Sequence, residues 1–159
     1  MDEWQGARRA PDCRFAVVVA RFNAEITGGL LAGALEALAE AEVGPDHVTV
    51  VHVPGAFELP MTAQRLAESG RFDAVVCLGC LIKGDTMHFE YIAEAATRGI
   101  AEVNLSTGVP VTFGVLTTLT DEQAELRAKP GRDNKGREAA FAAVEMATLL
   151  RAIDGGPAA

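Results

Sequence analysis

Aromatic residues make up only 6% of the 159-residue chain, too few for the stacking platforms of a protein that grips single-stranded nucleic acid. Basic residues are also in the minority: 14 Lys and Arg stand against 22 Asp and Glu, for a net charge of −8. The positive footprint of a nucleic-acid binder is therefore missing, although a few local cations can still hold an anionic small molecule. Cysteine is scarce and odd in number, with only Cys13, Cys77 and Cys80, which excludes a disulfide scaffold. Cys77 and Cys80 form a C-x-x-C, but inside the apolar run AVVCLG. On a strand an offset of three turns two side chains to opposite faces. Both read as core, and neither a metal nor a redox pair is expected there. No run of 18 apolar residues occurs, and the opening MDEWQGARRAPDC has no apolar stretch of the secretion-signal kind. The expectation is a cytoplasmic protein without membrane or nucleic-acid partners.

What is present is an ordinary globular composition, 49% hydrophobic and 23% charged. A chain of this length is one domain and buries roughly 68–70% of its unfolded surface. Four short apolar runs read as strands: Phe15–Ala20, Val48–Val53, Ala74–Leu78 and Val111–Val115. Three of them are nearly continuous and Val-rich, as strands buried on both faces are. Helical periodicity fills the gaps. Ile26, Leu30, Leu31, Ala34, Leu35 and Leu38 form one stripe, ended by Gly44-Pro45. A second helix is predicted over about 58–69 with Pro60 in its first turn, where proline is tolerated. A third is predicted from about Met87 to Arg98, stopping at Gly99, a short one near 121–127, and a long one over 135–153. The alternation β-α-β-α-β-α-β-α-α implies an α/β fold, a four-stranded parallel sheet with helices on both faces. Residues 14–154 are expected as a single domain, 1–13 as an arm that reaches a partner subunit or frays, and 155–159 as a flexible tail.

Open parallel sheets bind ligands at the carboxyl ends of their strands, and the unusual residues of this chain cluster there. The segment Cys80-Leu81-Ile82-Lys83-Gly84-Asp85-Thr86-Met87-His88-Phe89-Glu90 reads as strand, glycine turn and helix start, with Asp85 or Thr86 as cap. Unpaired first-turn amides make an anion site, most naturally for phosphate. Lys83 adds a point charge and Thr86 a hydroxyl donor. The same residues also describe an ordinary capped helix with an exposed lysine. His88, in the first turn, is placed to carry protons beside a bound phosphate ester, or is a helix-surface histidine. His47 reads as solvent-facing loop and His52 as an alternating strand residue. Phe22, between Arg21 and Asn23, stacks on a flat ligand or lids the helix stripe. The turn Gly55-Ala56-Phe57-Glu58 offers backbone donors and acceptors, with Glu58 a ligand contact or a dipole partner. Phe113 reads as core more readily than as ligand contact. Arg127 and Lys135 are solvated surface or anion clamps.

Six separated blocks, in this order, resemble the 6,7-dimethyl-8-ribityllumazine synthase family. They are Arg21-Phe22-Asn23, the Pro54–Glu58 turn, Gly79 through Phe89, Thr107–Val111 with Phe113–Thr118, Glu122-Gln123-Ala124 with Arg127, and Asn134-Lys135-Gly136. The resemblance runs from about Arg14 to Ile153. It implies a flavodoxin-like three-layer α-β-α sandwich and a transferase of riboflavin biosynthesis that works without a cofactor or a metal. Its substrates would be 5-amino-6-(D-ribitylamino)uracil and 3,4-dihydroxy-2-butanone 4-phosphate, with phosphate and water released. By the same resemblance Phe22 stacks on the pyrimidine. Ala56, Phe57 and Glu58 with Cys80, Leu81 and Ile82 hold the ring and ribityl chain, with Phe113 beside them. Asp85 and Thr86 bind the phosphate together with Arg127 from a neighbouring subunit, Lys135 lies near, and His88 moves protons. The family's rings of five subunits, its sixty-subunit shells and its association with riboflavin synthase are the implied partners.

The chain departs from the family pattern at Lys129 and Asp133, where glycines are usual, with Pro130 between them. Two rivals fit the fold alone. A flavodoxin wants a Ser/Thr-rich loop after the first strand, where Arg21-Phe22-Asn23 stands, and a phosphoreceiver wants an aspartate where Leu78-Gly79-Cys80 stands. A Schiff-base lyase would use Lys83 as nucleophile.

Overall fold

The computed structural model describes residues 1–155. Strands β1 (Phe15–Ala20), β2 (Val48–Val53), β3 (Ala74–Ile82) and β4 (Val111–Thr118) form one parallel sheet in the order β2-β1-β3-β4. The helices are α1 (Ala24–Glu40), α2 (Leu59–Glu68), α3 (His88–Thr107), α4 (Asp121–Ala128) and α5 (Lys135–Ile153), with short 3₁₀ turns at Pro45–His47 and Ala56–Glu58. The strand side chains alternate between two cores. Phe15, Val17 and Leu78 pack with Leu30 and Leu38 of α1 and Ala140 and Val144 of α5. Ala16, Val18 and Val75 pack with Leu59 and Ala63 of α2 and Ile100 of α3. This is the three-layer sandwich the alternation implies. No helix among the described residues is long and apolar enough to cross a membrane.

β1, central in the sheet, is buried at all six positions, whereas β2 is a half-open edge. Cys77 faces the α2–α3 core and Cys80 the α1–α5 core, so the C-x-x-C pair is divided by the sheet and all three cysteines are free. Burial pushes the Cys77 thiol up to about 12 and that of Cys80 up to about 11.

Several expected boundaries move. α3 does not stop at Gly99 but runs on to Thr107 and ends at Gly108, which takes the left-handed conformation at φ 71°. Gly99 serves a contact instead: a Cβ there would lie 2.7 Å from the Pro60 ring, so the glycine lets α2 and α3 approach. α1 ends before Gly44-Pro45, through Glu42 at φ 64°. β3 continues past Leu78, pairing Gly79 with Val115 and Ile82 with Thr118, so Cys80–Ile82 is strand and the loop begins at Lys83. His47 is half-buried rather than solvent-facing.

The arm does not protrude beyond Gly6. The Ala7 amide donates to Thr148 Oγ1 at 2.8 Å, and the Ala10 amide to the Ala41 carbonyl at 2.9 Å. Residues 6–13 thus lie on the chain's own α5 and the end of α1. Of the expected tail, Gly155 closes the turn after α5 with its amide on the Ala152 carbonyl; residues 156–159 lie outside the described residues.

α1 and α5 touch backbone to backbone. A Cβ on Gly136 would fall 2.0 Å from the Leu30 carbonyl oxygen, and one on Gly33 would fall 2.1 Å from Asn134 Oδ1. Asn134, 2% exposed, accepts from the Arg137 amide at the start of α5 and donates to the carbonyls of Gly29, Ala128 and Lys129. It welds α1, α4 and α5 together. The usual glycines at 129 and 133 are dispensable for this turn. Lys129, ahead of Pro130, is extended at φ −61°, Asp133 is not among the positive-φ residues, and Gly131 takes φ 125°.

Candidate active site

β1 ends at Ala20 and the chain turns through Asn23 at φ 60°, a left-handed conformation that Asn adopts more readily than most residues. Its side-chain Nδ2 donates to the Cys80 carbonyl at 2.9 Å. The Arg21 and Phe22 amides donate to the carbonyls of Val53 and Pro54. The turn is therefore fixed to both neighbouring strands, and it throws Phe22 outward, 69% exposed. That exposure excludes the lid reading of Phe22. Across from it, the turn after β2 buries Ala56 and leaves Phe57 58% exposed. The Glu58 carboxylate folds back over Gly55, where a Cβ would stand 3.4 Å from Oε2.

β3 delivers the third wall. Its amide ladder ends with the Lys83 N–H on the Thr118 carbonyl at 2.9 Å. The amides of Gly84, Asp85 and Thr86 then make no hydrogen bond among the described residues. Neither Asp85 nor Thr86 caps α3 as expected. The cap position is Met87, without a side-chain bond, and Thr86 Oγ1 reaches the His88 amide only at 3.5 Å. His88 is the exposed first residue of the helix. A turn of unbonded amides leading into a helix start has the donors to hold an anion.

Phe22, Ala56, Phe57, Glu58, Cys80, Leu81, Ile82, Thr86 and His88 line one cavity of about 610 Å³. It lies beyond the ends of β1 and β3, where the strand order reverses, the position open α/β sheets reserve for ligands. Lys83 and Asp85 flank the cavity without lining it. The Lys83 Nζ instead pairs with Glu90 Oε1 at 3.2 Å, so it does not face the cavity as a free amine. Its own amide and the Lys83 ammonium, both donating to it, hold the Glu90 carboxyl below the usual carboxylate range.

The other three predicted residues are elsewhere. Phe113, Arg127 and Lys135 line a second cavity, of about 470 Å³, along β4 and the start of α5. The two linings share no residue. Phe113 is 43% exposed, which corrects its reading as core: β4 is a sheet edge. Arg127 rides the last turn of α4, a helix fixed at its start by Thr120 Oγ1 accepting from the Gln123 amide and by Gln123 Oε1 accepting from the Leu119 amide. Among the described residues its guanidinium donates only to the Gln123 carbonyl. Lys135 Nζ donates to both Glu138 carboxylate oxygens at 2.9 Å.

Sequence reasoning quoted Asn23, Glu90 and Asn134 within its motifs but gave them no role, and it missed Glu138; all four shape these walls. Glu138 had a signal in its i,i+3 spacing from Lys135, and Asn23 in its place at a strand-to-helix turn. Among the described residues no group of three or more His, Cys, Asp or Glu side chains gathers as metal ligands do.

Residues 12–151 match the family model described as 6,7-dimethyl-8-ribityllumazine synthase. A curated relative named 6,7-dimethyl-8-ribityllumazine synthase, from Salinibacter ruber (strain DSM 13855 / M31), is 52% identical over 142 residues, covering 89% of this chain and 91% of the relative.

Proposed function

The chain belongs to the 6,7-dimethyl-8-ribityllumazine synthase family, and from that premise we propose that it condenses 5-amino-6-(D-ribitylamino)uracil with 3,4-dihydroxy-2-butanone 4-phosphate. The observation that carries the assignment of roles is the open amide turn Gly84–Thr86 with His88 at its end, in one cavity with two outward phenylalanines. The phenylalanine faces suit a flat pyrimidine. The unbonded amides suit a phosphate dianion. The substrate's 5-amino group attacks the ketone carbonyl, and loss of water gives an imine. Loss of phosphate, attack by the ribitylamino nitrogen and loss of a second water then close the ring. Each stage moves protons, and His88 is the imidazole beside the phosphate cradle. Much of the rate gain comes from holding two reactants together, with His88 adding roughly 10²-fold.

Phe113, Arg127 and Lys135 belong to the same site only if a second copy brings its β4 edge to the first copy's cavity. The open edge strand with an exposed Phe113 supports such a neighbour. Head-to-tail use of two different faces closes into a ring, and a homopentamer is the finer reading, with a sixty-subunit shell built from it and riboflavin synthase as a partner. A ring of five 16.7 kDa chains weighs about 84 kDa, which light scattering separates from both monomer and shell. A cytoplasmic location completes the proposal.

The experiment is direct. The pure protein and both substrates are mixed, and lumazine absorbance and fluorescence are followed. Product no faster than in the protein-free mixture would overturn the assignment.

A further inference from the structure

The loop from Lys83 to His88 carries the open amides and the imidazole, yet little inside it fixes its shape. Gly84 has open space where a Cβ would be, and the Thr86 hydroxyl meets the His88 amide only at 3.5 Å. Its two ends are where it is held. At one end the Lys83 amide is bonded to Thr118 of β4. At the other, Glu90 stands in the first turn of α3 and pairs with Lys83 across the neck at 3.2 Å. The second Glu90 oxygen, Oε2, is buried and has no donor among the described residues. A carboxylate free to turn would carry that oxygen to water, since buried acceptors without donors are uncommon. The pair with Lys83 keeps the side chain in place.

We infer that Glu90 is a positioning residue: through Lys83 it clamps the neck of the 83–88 loop and fixes the phosphate-facing amides and His88 against the phenylalanine side of the cavity. The inference rests on reading that loop as the phosphate site. It gives Lys83 a role opposite to that of a phosphate ligand. If Lys83 were a direct ligand, Glu90 would compete with phosphate for it, and neutralising Glu90 would tighten phosphate binding. If the pair is a clamp, neutralising Glu90 loosens the loop and weakens phosphate binding.

The test uses the full chain as wild type, Glu90→Gln, Lys83→Gln and the double variant, with each substrate varied in turn. Inorganic phosphate serves as a competitive probe against the butanone phosphate. Glu90→Gln is expected to raise KM for the butanone phosphate, and the inhibition constant of inorganic phosphate, by about threefold to tenfold through lost preorganisation. KM for the ribitylaminouracil stays within about twofold, because its side of the cavity is held by other bonds, and Tm moves by no more than about 2 °C for a half-exposed ion pair. The double variant is expected to be no worse than either single one, the mark of two groups acting as a unit. Should Glu90→Gln fail to fold, Glu90→Asp, which keeps the charge but shortens the reach to Lys83, carries the same kinetic expectation, with tighter phosphate binding again the opposing result. Tighter phosphate binding in Glu90→Gln, unchanged constants in both single variants, or additive losses in the double variant would each overturn the clamp. A wild type that forms no lumazine would overturn the functional reading itself, and this inference with it; that outcome is distinct from the other three.

Discussion

His88 and Arg127 line different cavities with no residue in common, so a site that needs both has to be assembled from two copies. Two crippled proteins, His88→Ala and Arg127→Ala, then become complementary. Each alone is expected to lose on the order of 10-fold to 10²-fold in turnover, since positioning by the remaining wall survives. In an equal mixture refolded together, an interface draws its His88 face from one copy and its Arg127 face from the next. Random mixing around a closed ring makes about a quarter of interfaces intact on both sides, a quarter broken on both, and half broken on one. Activity is expected near a quarter of wild type, several times the mean of the two parents. The assay is lumazine fluorescence on the co-refolded sample, with mass spectrometry of intact rings to establish subunit exchange. A mixture that exchanges subunits and yet stays at the parental mean would refute the two-copy site and return both residues to one chain's pocket.

Three further outcomes follow from the same geometry. Phe22→Ala is expected to raise KM for the ribitylaminouracil by about tenfold to a hundredfold, the value of one base–aromatic stack, whereas Arg127→Ala raises mainly KM for the butanone phosphate; equal effects on both substrates would dissolve the two subsites. Gly136→Ala forces a Cβ to within 2.0 Å of the Leu30 carbonyl oxygen, and overpacking of roughly 1–3 kcal/mol or more lowers Tm by several degrees in thermal unfolding at about 2–4 °C per kcal/mol. The same change at Gly28, where nothing stands within 4 Å, is expected to raise Tm slightly through helix propensity, so a like effect at both positions would count against the contact argument. The Cys80 thiol, at about 11, is neutral at pH 8 and gains thiolate only as pH rises toward that value. With only about one thiol in a thousand ionised at pH 8, native protein should label slowly with a disulfide reagent and promptly in urea; fast labelling of the native chain would contradict the burial.

The sheet was legible because its signal is local. Val-rich runs such as Phe15–Ala20 announce burial on both faces, and β1 is indeed buried throughout. Two of the misplaced boundaries share one cause: a glycine carries no label for its reason. Gly99 resembles a helix stop and is a contact with Pro60, and Gly79 resembles a loop opening and is a strand residue packed against Leu59. Phe113 was misjudged on its residues because exposure depends on strand order, and nothing local says that β4 is an edge. The Lys83–Glu90 pair had no pattern to betray it, since Lys83 lies in the loop before α3 and helical periodicity does not extend to it.

An acidic chain that binds a phosphate ester poses a question of charge, and the structure supplies the pieces of an answer. Around the two cavities Lys83 is engaged by Glu90 and Lys135 by Glu138, so both lysines are already paired. Among the described residues Arg127 donates only to a backbone carbonyl and keeps most of its guanidinium free. On the proposed reading the dianion is met by amide dipoles from one copy and by one unpaired guanidinium from the next. Beyond about 8 Å physiological salt screens the remaining negative charge, so a net −8 does not prevent binding by a short-range cradle. Because the free cation is on the other wall, neither half alone supplies both amides and charge. On that reading assembly is part of the binding chemistry, and the proposal gives Asn134, which fastens the α4–α5 turn beside Arg127, a bearing on a pocket completed by a second copy.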